Sequence, residues 1–215
     1  MILVTGGAGF IGSNFVQNWL TSTKEKLINL DKLTYAGNKI NLDICLNDPN
    51  HIFIEGDIGD SEKVFKLLEQ NKPRAVINFA AESHVDRSIE LPGIFFETNV
   101  MGTLNLLESC KKYWLSLEGK EKENFRFLHI STDEVYGSLD KFEEGFDEDD
   151  PFRPNSPYSA SKASSDLLVR SYFKTFNFPV LTSNCSNNFG PHQYPEKLIP
   201  LSIKTFVPGR RTSRI

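Results

Sequence analysis

A tyrosine and a lysine four residues apart are the first side chains whose types and spacing suggest chemistry. Tyr158 and Lys162 lie near the start of a segment, Pro157 to about Phe176, whose pattern predicts a helix. Residues four apart share one face of a helix, so we expect the ammonium group beside the phenol. A nearby positive charge favours the phenolate and should lower the tyrosine pKa from its usual value of about 10. Such a phenolate can take a proton from a hydroxyl group while a hydride leaves the same carbon.

A glycine-rich turn near the start of the chain predicts a dinucleotide site. Gly6, Gly9 and Gly12 follow the apolar run Ile2-Leu3-Val4 and precede a helical pattern. Glycine permits a sharp turn and lets a phosphate approach the backbone, and the helix N-terminus behind it favours an anion. Asp31 closes the next apolar run, where a carboxylate accepts from a ribose hydroxyl and repels a 2′-phosphate. An ordinary strand-to-helix turn is the alternative, but this context favours a dinucleotide site that prefers NAD to NADP.

Six apolar runs alternate with helical patterns and predict the sheet that positions these residues. Strands are predicted at 2–4, 27–30, 51–55, 75–80, 126–130 and 179–183, and the longest helices at about 92–114 and 157–176. A loop is expected at 81–88 and a charged turn at 118–124. This alternation indicates an α/β fold with a Rossmann-type doubly wound parallel sheet. Right-handed crossovers place the carboxyl ends of the strands along one edge, where the ligand should bind.

The composition excludes several classes of function. The 215-residue chain has a formal net charge of −4, which argues against nucleic acid or an anionic membrane as a partner. Three scattered cysteines, Cys45, Cys110 and Cys185, predict buried free thiols and not disulfides or a zinc site. The acidic stretch 140–150 is expected to be a solvated loop, so no metal is predicted. Neither a signal peptide nor a membrane-spanning stretch is visible, so a cytoplasmic location is expected.

Seven motifs together resemble the extended short-chain dehydrogenase/reductases, and within that group the dTDP-glucose 4,6-dehydratase family. They reach up to about Leu201 and are Thr5-Gly-Gly-Ala-Gly-Phe-Ile-Gly12, Asp31-Lys-Leu-Thr-Tyr-Ala-Gly37, Ala80-Ala-Glu-Ser-His-Val-Asp-Arg-Ser88, Ser131-Thr-Asp-Glu-Val-Tyr-Gly137, Tyr158-Ser-Ala-Ser-Lys162, Asn184-Cys-Ser-Asn-Asn188 and Pro195-Glu-Lys-Leu-Ile-Pro200. Only the glycine turn and the Tyr–Lys pair are common across the superfamily. The resemblance implies NAD as cofactor, a nucleotide sugar (dTDP-glucose) as substrate, and a homodimer.

The resemblance also implies roles for individual positions. The implied contacts to NAD are Gly6, Gly9, Phe10, Ile11, Gly12, Asp31, Lys32, Leu33, Thr34, Asp57, Ile58, Ala80, Ala81, Thr98, Tyr158, Lys162 and Asn188. The implied catalytic residues are Thr132, Asp133, Glu134, Tyr158 and Lys162. The implied contacts to the substrate are His84, Thr132, Asn187, Lys197, Leu198, Ile199 and Pro200.

The adjacent acids Asp133 and Glu134 suit an elimination. Loss of water needs one group to remove a proton and another to protonate the leaving hydroxyl, and two acids in different surroundings can hold different protonation states. The resemblance implies that Tyr158, with Lys162 and Thr132, deprotonates the sugar C4 hydroxyl while NAD accepts hydride from C4. Glu134 would then remove the C5 proton and Asp133 would protonate the C6 hydroxyl. Hydride return to C6 gives a 4-keto-6-deoxy sugar. A plain surface pair is the alternative for these acids.

The resemblance also predicts that the chain is incomplete. Members of the family continue beyond Leu201 into a smaller substrate domain, most of which is expected to be missing, and the basic tail 208–215 does not resemble the family. We expect an NAD-binding Rossmann domain with the catalytic residues at 1–190, and the start of a truncated substrate-binding region at 191–215. The long helices at about 95–114 and 157–176 are expected to pair with their copies in a dimer.

Two other functions stay open. One is a nucleotide-sugar 4-epimerase or decarboxylase of the same family, which keeps the threonine, tyrosine and lysine but does not need Asp133 and Glu134. The other is an inactive NAD-binding fragment.

Overall fold

Six strands form one parallel sheet in the order β3-β2-β1-β4-β5-β6, in a computed structural model that describes residues 1–206. The strands are β1 (Ile2–Thr5), β2 (Leu27–Asp31), β3 (His51–Glu55), β4 (Ala75–Asn78), β5 (Arg126–Thr132) and β6 (Val180–Cys185). Every position of β1 and β2 is buried, as the continuous apolar runs require of strands covered on both faces. The order of the strands reverses between β1 and β4, which opens a crevice at their carboxyl ends.

Helices cover both faces of the sheet. They are α1 (Phe10–Thr23), α2 (Ser61–Asn71), α3 (Val85–Glu90), α4 (Pro92–Phe95), α5 (Thr103–Ser116), α6 (Gly119–Asn124), α7 (Pro157–Phe176) and α8 (Leu198–Phe206). One core lies between the sheet and α1, through Val16 and Leu20. The other lies under α2, α5 and α7, through Leu68, Leu106 and Val169. The predicted doubly wound α/β sheet is confirmed.

Local capping fixes the helix that carries Tyr158 and Lys162. Ser156 is the N-cap of α7, and its side chain and that of Ser159 bond reciprocally to each other's backbone amides. Pro157 occupies the first turn, where its missing N–H costs nothing. Asn177 ends the helix in the left-handed region with φ 53°. These signals set the bounds that the sequence predicts, 157–176.

Two predicted irregular stretches are helical instead. The loop expected at 81–88 contains the start of α3, because the His84 ring caps the helix by accepting from the Arg87 backbone N–H. The charged turn expected at 118–124 forms α6, and the Trp114 indole N–H donates to the carbonyl of Lys122 within it. Both expectations were wrong because a side-chain hydrogen bond stabilises each short helix, from the N-cap residue itself in α3 and from α5 in α6.

The long helix predicted at 92–114 is interrupted by a π-helical segment, Phe96–Gly102, between α4 and α5. The wider turn rotates the buried face relative to an uninterrupted α-helix. The sequence pattern predicts that Phe96, Val100, Leu104 and Leu107 form an apolar stripe on this helix. Phe96 is nevertheless 41% exposed, whereas Phe95 is 2% exposed and packs edge-on against the Tyr158 ring. The stripe prediction is therefore wrong at Phe96, because it assumed a regular period of 3.6 residues.

The remaining expectations concern the acidic stretch, the cysteines, membrane-spanning helices and the basic tail. The acidic stretch 140–150 is almost entirely exposed, and no group of His, Cys, Asp and Glu among residues 1–206 could hold a metal ion. Cys45 and Cys110 are buried free thiols as predicted, but Cys185 is partly exposed. None of the helices within residues 1–206 has the length and apolarity needed to cross a bilayer. The basic tail 208–215 lies outside the described residues.

Candidate active site

A cavity of about 680 Å³ opens at the carboxyl edge of the sheet. Residues from the ends of all six strands line it, because parallel strands bring their carboxyl ends to the same edge. The sequence-predicted residues that the structure brings together there are Gly6, Gly9, Phe10, Ile11, Gly12, Asp31, Lys32, Thr34, Asp57, Ile58, Ala80, Ala81, Thr98, Thr132, Asp133, Glu134, Tyr158, Lys162, Asn187, Asn188 and Lys197. All the predicted catalytic residues, most of the predicted cofactor contacts and three of the predicted substrate contacts therefore share one cavity.

Five predicted contact residues lie outside the lining of this cavity. Leu33 packs against the core beneath α1. His84 caps α3, and its Nε2 lies 2.9 Å from Glu196 Oε1. Leu198, Ile199 and Pro200 begin α8, and the Leu198 side chain is 79% exposed. The roles assigned to these five stay predictions.

The glycine turn has no room for side chains at two positions. Gly6 has φ +72°, and a Cβ there would stand 2.5 Å from the Ala80 backbone nitrogen. A Cβ on Gly12 would stand 2.2 Å from the Gly6 carbonyl oxygen. The turn therefore packs directly against β4 and against itself, and it brings the first turn of α1 to the cavity.

Asp31 holds the glycine turn in place. Its carboxylate oxygens accept from the backbone N–H groups of Ala8 and Leu33, each at 2.8 Å. Burial raises the pKa of this carboxyl, and the two backbone hydrogen bonds oppose that rise. The next residue, Lys32, forms an ion pair with Asp57, which follows β3; its Nζ lies 2.6 Å from Asp57 Oδ2.

Tyr158 and Lys162 are both buried but do not have the predicted electrostatic relation. Burial is the main cause that raises the pKa of Tyr158, the Glu134 carboxylate raises it further, and the Thr132 hydroxyl opposes the rise. The Lys162 ammonium group donates to the Ile130 carbonyl at 2.8 Å. Burial lowers the pKa of Lys162 to about 8, against the opposing effect of Asp166. The expected lowering of the Tyr158 pKa is therefore wrong for this structure, because desolvation is the largest cause and Lys162 is not among the groups that act on the phenol.

Thr132 organises the acid pair at the end of β5. Its hydroxyl donates to Asp133 Oδ1 at 3.4 Å and accepts from the Glu134 backbone N–H at 3.2 Å. The following single turn of 3-10 helix, Asp133–Val135, places both acids at the cavity. Partial desolvation and the Asp133 charge raise the pKa of Glu134, while Lys197 lowers it. The Glu134 carboxylate therefore binds a proton more readily than an ordinary glutamate, as suits a general base.

Several cavity residues were missed from the sequence. Glu82 is 8% exposed, and burial raises the pKa of its carboxyl. Tyr35 lies under the Arg87 guanidinium, 3.8 Å from the ring centroid, and edge-on to Tyr194 at 5.9 Å. Cys185 also lines the cavity. The signal for Glu82 and Cys185 was their position at or just after a strand's carboxyl end, whereas the Tyr35 cluster depends on contacts between distant loops.

A family model and curated proteins match most of this chain. The sequence model of the family described as GDP-mannose 4,6 dehydratase matches residues 3–214, and so includes most of the basic tail 208–215 that was expected not to resemble the family. A dTDP-glucose 4,6-dehydratase of Xanthomonas campestris pv. campestris (strain B100) is 57% identical over 207 residues, which cover 96% of this chain and 58% of that protein.

Solved structures agree with this match. The dTDP-glucose 4,6-dehydratase of Bacillus anthracis in complex with NAD has a TM-score of 0.83 at 47% identity, covering 95% of this chain and 60% of that one. The Streptomyces venezuelae enzyme of the same name, also with NAD bound, has a TM-score of 0.86 at 46% identity, covering 95% and 61%. The chain thus spans about three fifths of the length of these relatives. It belongs to the GDP-mannose 4,6-dehydratase family, and the relatives it resembles here carry the name dTDP-glucose 4,6-dehydratase.

Proposed function

We propose that this chain carries the NAD site and the catalytic residues of a dTDP-glucose 4,6-dehydratase. The observation that supports this most strongly is the convergence of Thr132, Asp133, Glu134, Tyr158 and Lys162 on the cavity that the glycine turn borders. The names of similar proteins agree with it. The reaction converts dTDP-glucose to dTDP-4-keto-6-deoxyglucose and releases one water molecule.

The residues at the cavity fit NAD. The backbone at Gly6 and Gly12 is packed too closely for side chains, and the N-terminus of α1 faces the cavity, which suits a pyrophosphate. Asp31 stands at the end of β2, where it suits a ribose hydroxyl. We propose that the predicted cofactor residues at this edge hold NAD, which would supply the hydride acceptor for C4 and the hydride donor for C6.

In the proposed mechanism, a different side chain carries out each proton transfer. Tyr158 must first lose its own phenolic proton, against the raised pKa, and its phenolate then takes the proton of the C4 hydroxyl. The Thr132 hydroxyl lowers the Tyr158 pKa and so favours this phenolate. The resulting ketone acidifies the C5 proton, which Glu134 removes. A raised pKa makes the Glu134 carboxylate a stronger base than an ordinary glutamate. Asp133 protonates the C6 hydroxyl as it leaves as water, and C5 is reprotonated at the end.

We also propose that residues 1–190 are the NAD-binding and catalytic domain and that 191–215 begin the substrate-binding region. Lys197 supports this division, since it lines the cavity from beyond β6 and acts on the pKa of Glu134. Its ammonium group suits an anionic part of a nucleotide sugar.

A homodimer through the two long helical stretches is part of the proposal. Their outer faces carry exposed apolar side chains, including Met101 (51% exposed), Leu115 (57%) and Leu167 (56%). Exposed apolar side chains on two packed helices suit a partner surface of the same kind.

The decisive experiment separates oxidation at C4 from elimination. The chain, and the same chain with Glu134→Gln or Tyr158→Phe, is supplied with NAD and dTDP-glucose, and both the 6-deoxy product and reduced-nicotinamide absorbance are followed. Glu134→Gln should lower product formation roughly a hundred- to ten-thousand-fold, as loss of a general base does, while absorbance accumulates. Tyr158→Phe should abolish the absorbance.

Glu144→Gln, on the exposed acidic loop, is the matched control and should leave both signals unchanged. Unchanged product formation in Glu134→Gln would favour an epimerase or decarboxylase. Absence of both signals in the unaltered chain would leave an NAD-binding protein without turnover.

A further inference from the structure

A buried carboxylate beneath the cavity has no part in the proposed mechanism. Asp166 lies on α7, one helical turn after Lys162, and is 4% exposed. Its Oδ2 accepts from the Ser131 hydroxyl at 2.7 Å and from the Asn184 side-chain amide at 3.1 Å. Ser131 lies in β5 and Asn184 in β6, so one carboxylate joins the carboxyl ends of both strands to α7. An isolated charge at such a position is costly unless it is paired.

The second oxygen of Asp166 faces a chain of buried polar groups across the sheet. His129 Nε2 lies 3.3 Å from Asp166 Oδ1, although the two atoms do not meet hydrogen-bond geometry. On the other side of the ring, His129 Nδ1 lies 3.2 Å from the Asn78 amide nitrogen, and Asn78 Oδ1 accepts from the Thr5 hydroxyl at 2.6 Å. With Asn78 Nδ2 as donor, Nδ1 must be the acceptor, which puts the imidazole proton on Nε2, towards Asp166.

This histidine does not supply the positive charge that Asp166 needs. His129 is fully buried, and burial lowers its pKa to about 4, with the Lys162 charge lowering it further. It is therefore neutral near pH 7. Lys162 is a cation on which the Asp166 charge acts, raising its pKa; the lysine is 3% exposed and lies one turn earlier on the same face of α7.

We infer that Asp166 is a positioning residue of the site, whose buried carboxylate keeps Lys162 charged and holds the ends of β5 and β6 in register with α7. Asn184 shows the second part of this role, because its amide also donates to the Thr132 carbonyl at 3.3 Å. The carboxylate thus reaches the backbone of Thr132 through the Asn184 side chain, and its charge acts on Lys162 across one turn of α7. Its meaning for catalysis rests on the proposed function, whereas its effect on Lys162 is a property of this chain alone.

Other titratable groups also lie around Lys162 and Tyr158 and must be considered in a test. Those that face Lys162 or Tyr158 from the surrounding elements are His129 on β5, Asp133 and Glu134 after β5, and Cys185 on β6. The Asp166 charge raises the pKa of Tyr158 as well as that of Lys162. Activity alone would mix these two effects, so the proton affinity of Lys162 has to be measured directly.

The test is an NMR titration of the chain with ¹³C-labelled lysine, in which the Lys162 signal is assigned by its absence from Lys162→Met. Asp166→Asn keeps the size of the side chain and removes its charge. It should lower the Lys162 pKa by about one unit or more, the usual effect of an opposite charge at close range. Ser165→Ala, which removes a buried hydroxyl at the neighbouring position of α7, is the control and should leave the titration unchanged. An unchanged Lys162 titration in folded Asp166→Asn would overturn the inference.

A second variant covers the case in which Asp166→Asn does not fold. The double variant Lys162→Met with Asp166→Asn removes both charges. A folded double variant would show that the single change fails through the uncompensated ammonium group, as inferred. A double variant that also fails to fold would make Asp166 a structural residue only and overturn the inference. Absence of dehydratase activity in the unaltered chain would refute the proposed function. The Lys162 titration and the folding of the variants would still test the inference, because neither depends on activity.

Discussion

At the scale of single residues, burial and backbone hydrogen bonds act in opposite directions on the pKa of an acid in the cavity. Asp31 is the example, because the carboxylate that is expected to bind a ribose hydroxyl also accepts hydrogen bonds from two backbone N–H groups of the surrounding loops. Cofactor selection and loop stability therefore depend on the same two oxygen atoms.

We predict that Asp31→Asn weakens both properties. An amide can accept at only one of the two positions, so one buried backbone N–H loses its partner at a cost of about 1–3 kcal/mol. Urea unfolding followed by circular dichroism measures this cost. Titration with NAD and NADP should show NAD bound more tightly by the unaltered chain, and a smaller difference in the variant. Tighter binding of NADP than of NAD by the unaltered chain would contradict the assignment.

Glu82 provides a prediction about pH. Burial raises its pKa above 4.5, so the folded chain binds more protons than the unfolded chain between that value and the raised one, and stability falls as pH rises through this range. Above both values the buried carboxylate is destabilising. Glu82→Gln should therefore raise the free energy of unfolding at pH 7, by less than about 2 kcal/mol.

The gain from Glu82→Gln should shrink as the pH falls towards 4.5, where the unaltered carboxyl becomes protonated. Urea unfolding at several pH values gives this comparison. Glu144→Gln on the exposed loop should show no such dependence. A gain that is the same at pH 4.5 and pH 7 would show that the charge of Glu82 is not its cause.

At the scale of elements, the π-helical segment Phe96–Gly102 ties three parts of the site together through Asn99. The Asn99 side chain accepts from the Glu82 backbone N–H at 2.8 Å and donates to the Glu82 carbonyl at 3.0 Å. It also donates at 2.8 Å to Ser161, whose hydroxyl in turn donates to the Tyr158 carbonyl. The segment thus fixes the loop after β4 against the first turns of α7.

Asn99→Ala should destabilise the chain by at least about 2 kcal/mol, because it leaves several buried polar groups without partners. Asn105→Ala is the control on the neighbouring helix. It removes only an exposed hydrogen bond to the Gly59 carbonyl and should cost less than about 0.5 kcal/mol. Both values come from urea unfolding. Equal costs for the two changes would mean that the Asn99 bonds do not hold the segment.

At the scale of the whole molecule, the exposed apolar side chains are the main feature that the fold leaves without a partner. Leu167→Glu on α7 should shift a homodimer towards monomer, since a carboxylate in an apolar interface must be desolvated. Ile44→Glu, at a side chain 82% exposed but away from the two long helical stretches, should not. Sedimentation velocity at micromolar concentration distinguishes them. A folded, unaltered chain that is monomeric under these conditions would refute the proposed dimer.

The sequence by itself determined the class of fold and much of the cavity. Buried parallel strands have apolar runs, and helix ends have capping residues, so the position of β1, the bounds of α7 and the edge that carries the ligand site could be predicted from local patterns. The residues placed at that edge by strand ends and by motifs, such as Asp31 and Thr132, do line one cavity.

Only the tertiary structure decided how these residues behave. The pKa of Tyr158 depends on desolvation by groups far away in the sequence, and it is raised where the four-residue spacing to Lys162 predicted a fall. The helical state of α6 depends on a contact with Trp114 on α5, and the burial of Phe95 in place of Phe96 depends on a π-helical turn that a regular helical period does not predict. The local sequence pattern does not distinguish Asp166 from other polar residues of α7, because burial and the pairing of charge arise only when β5 and β6 pack against this helix.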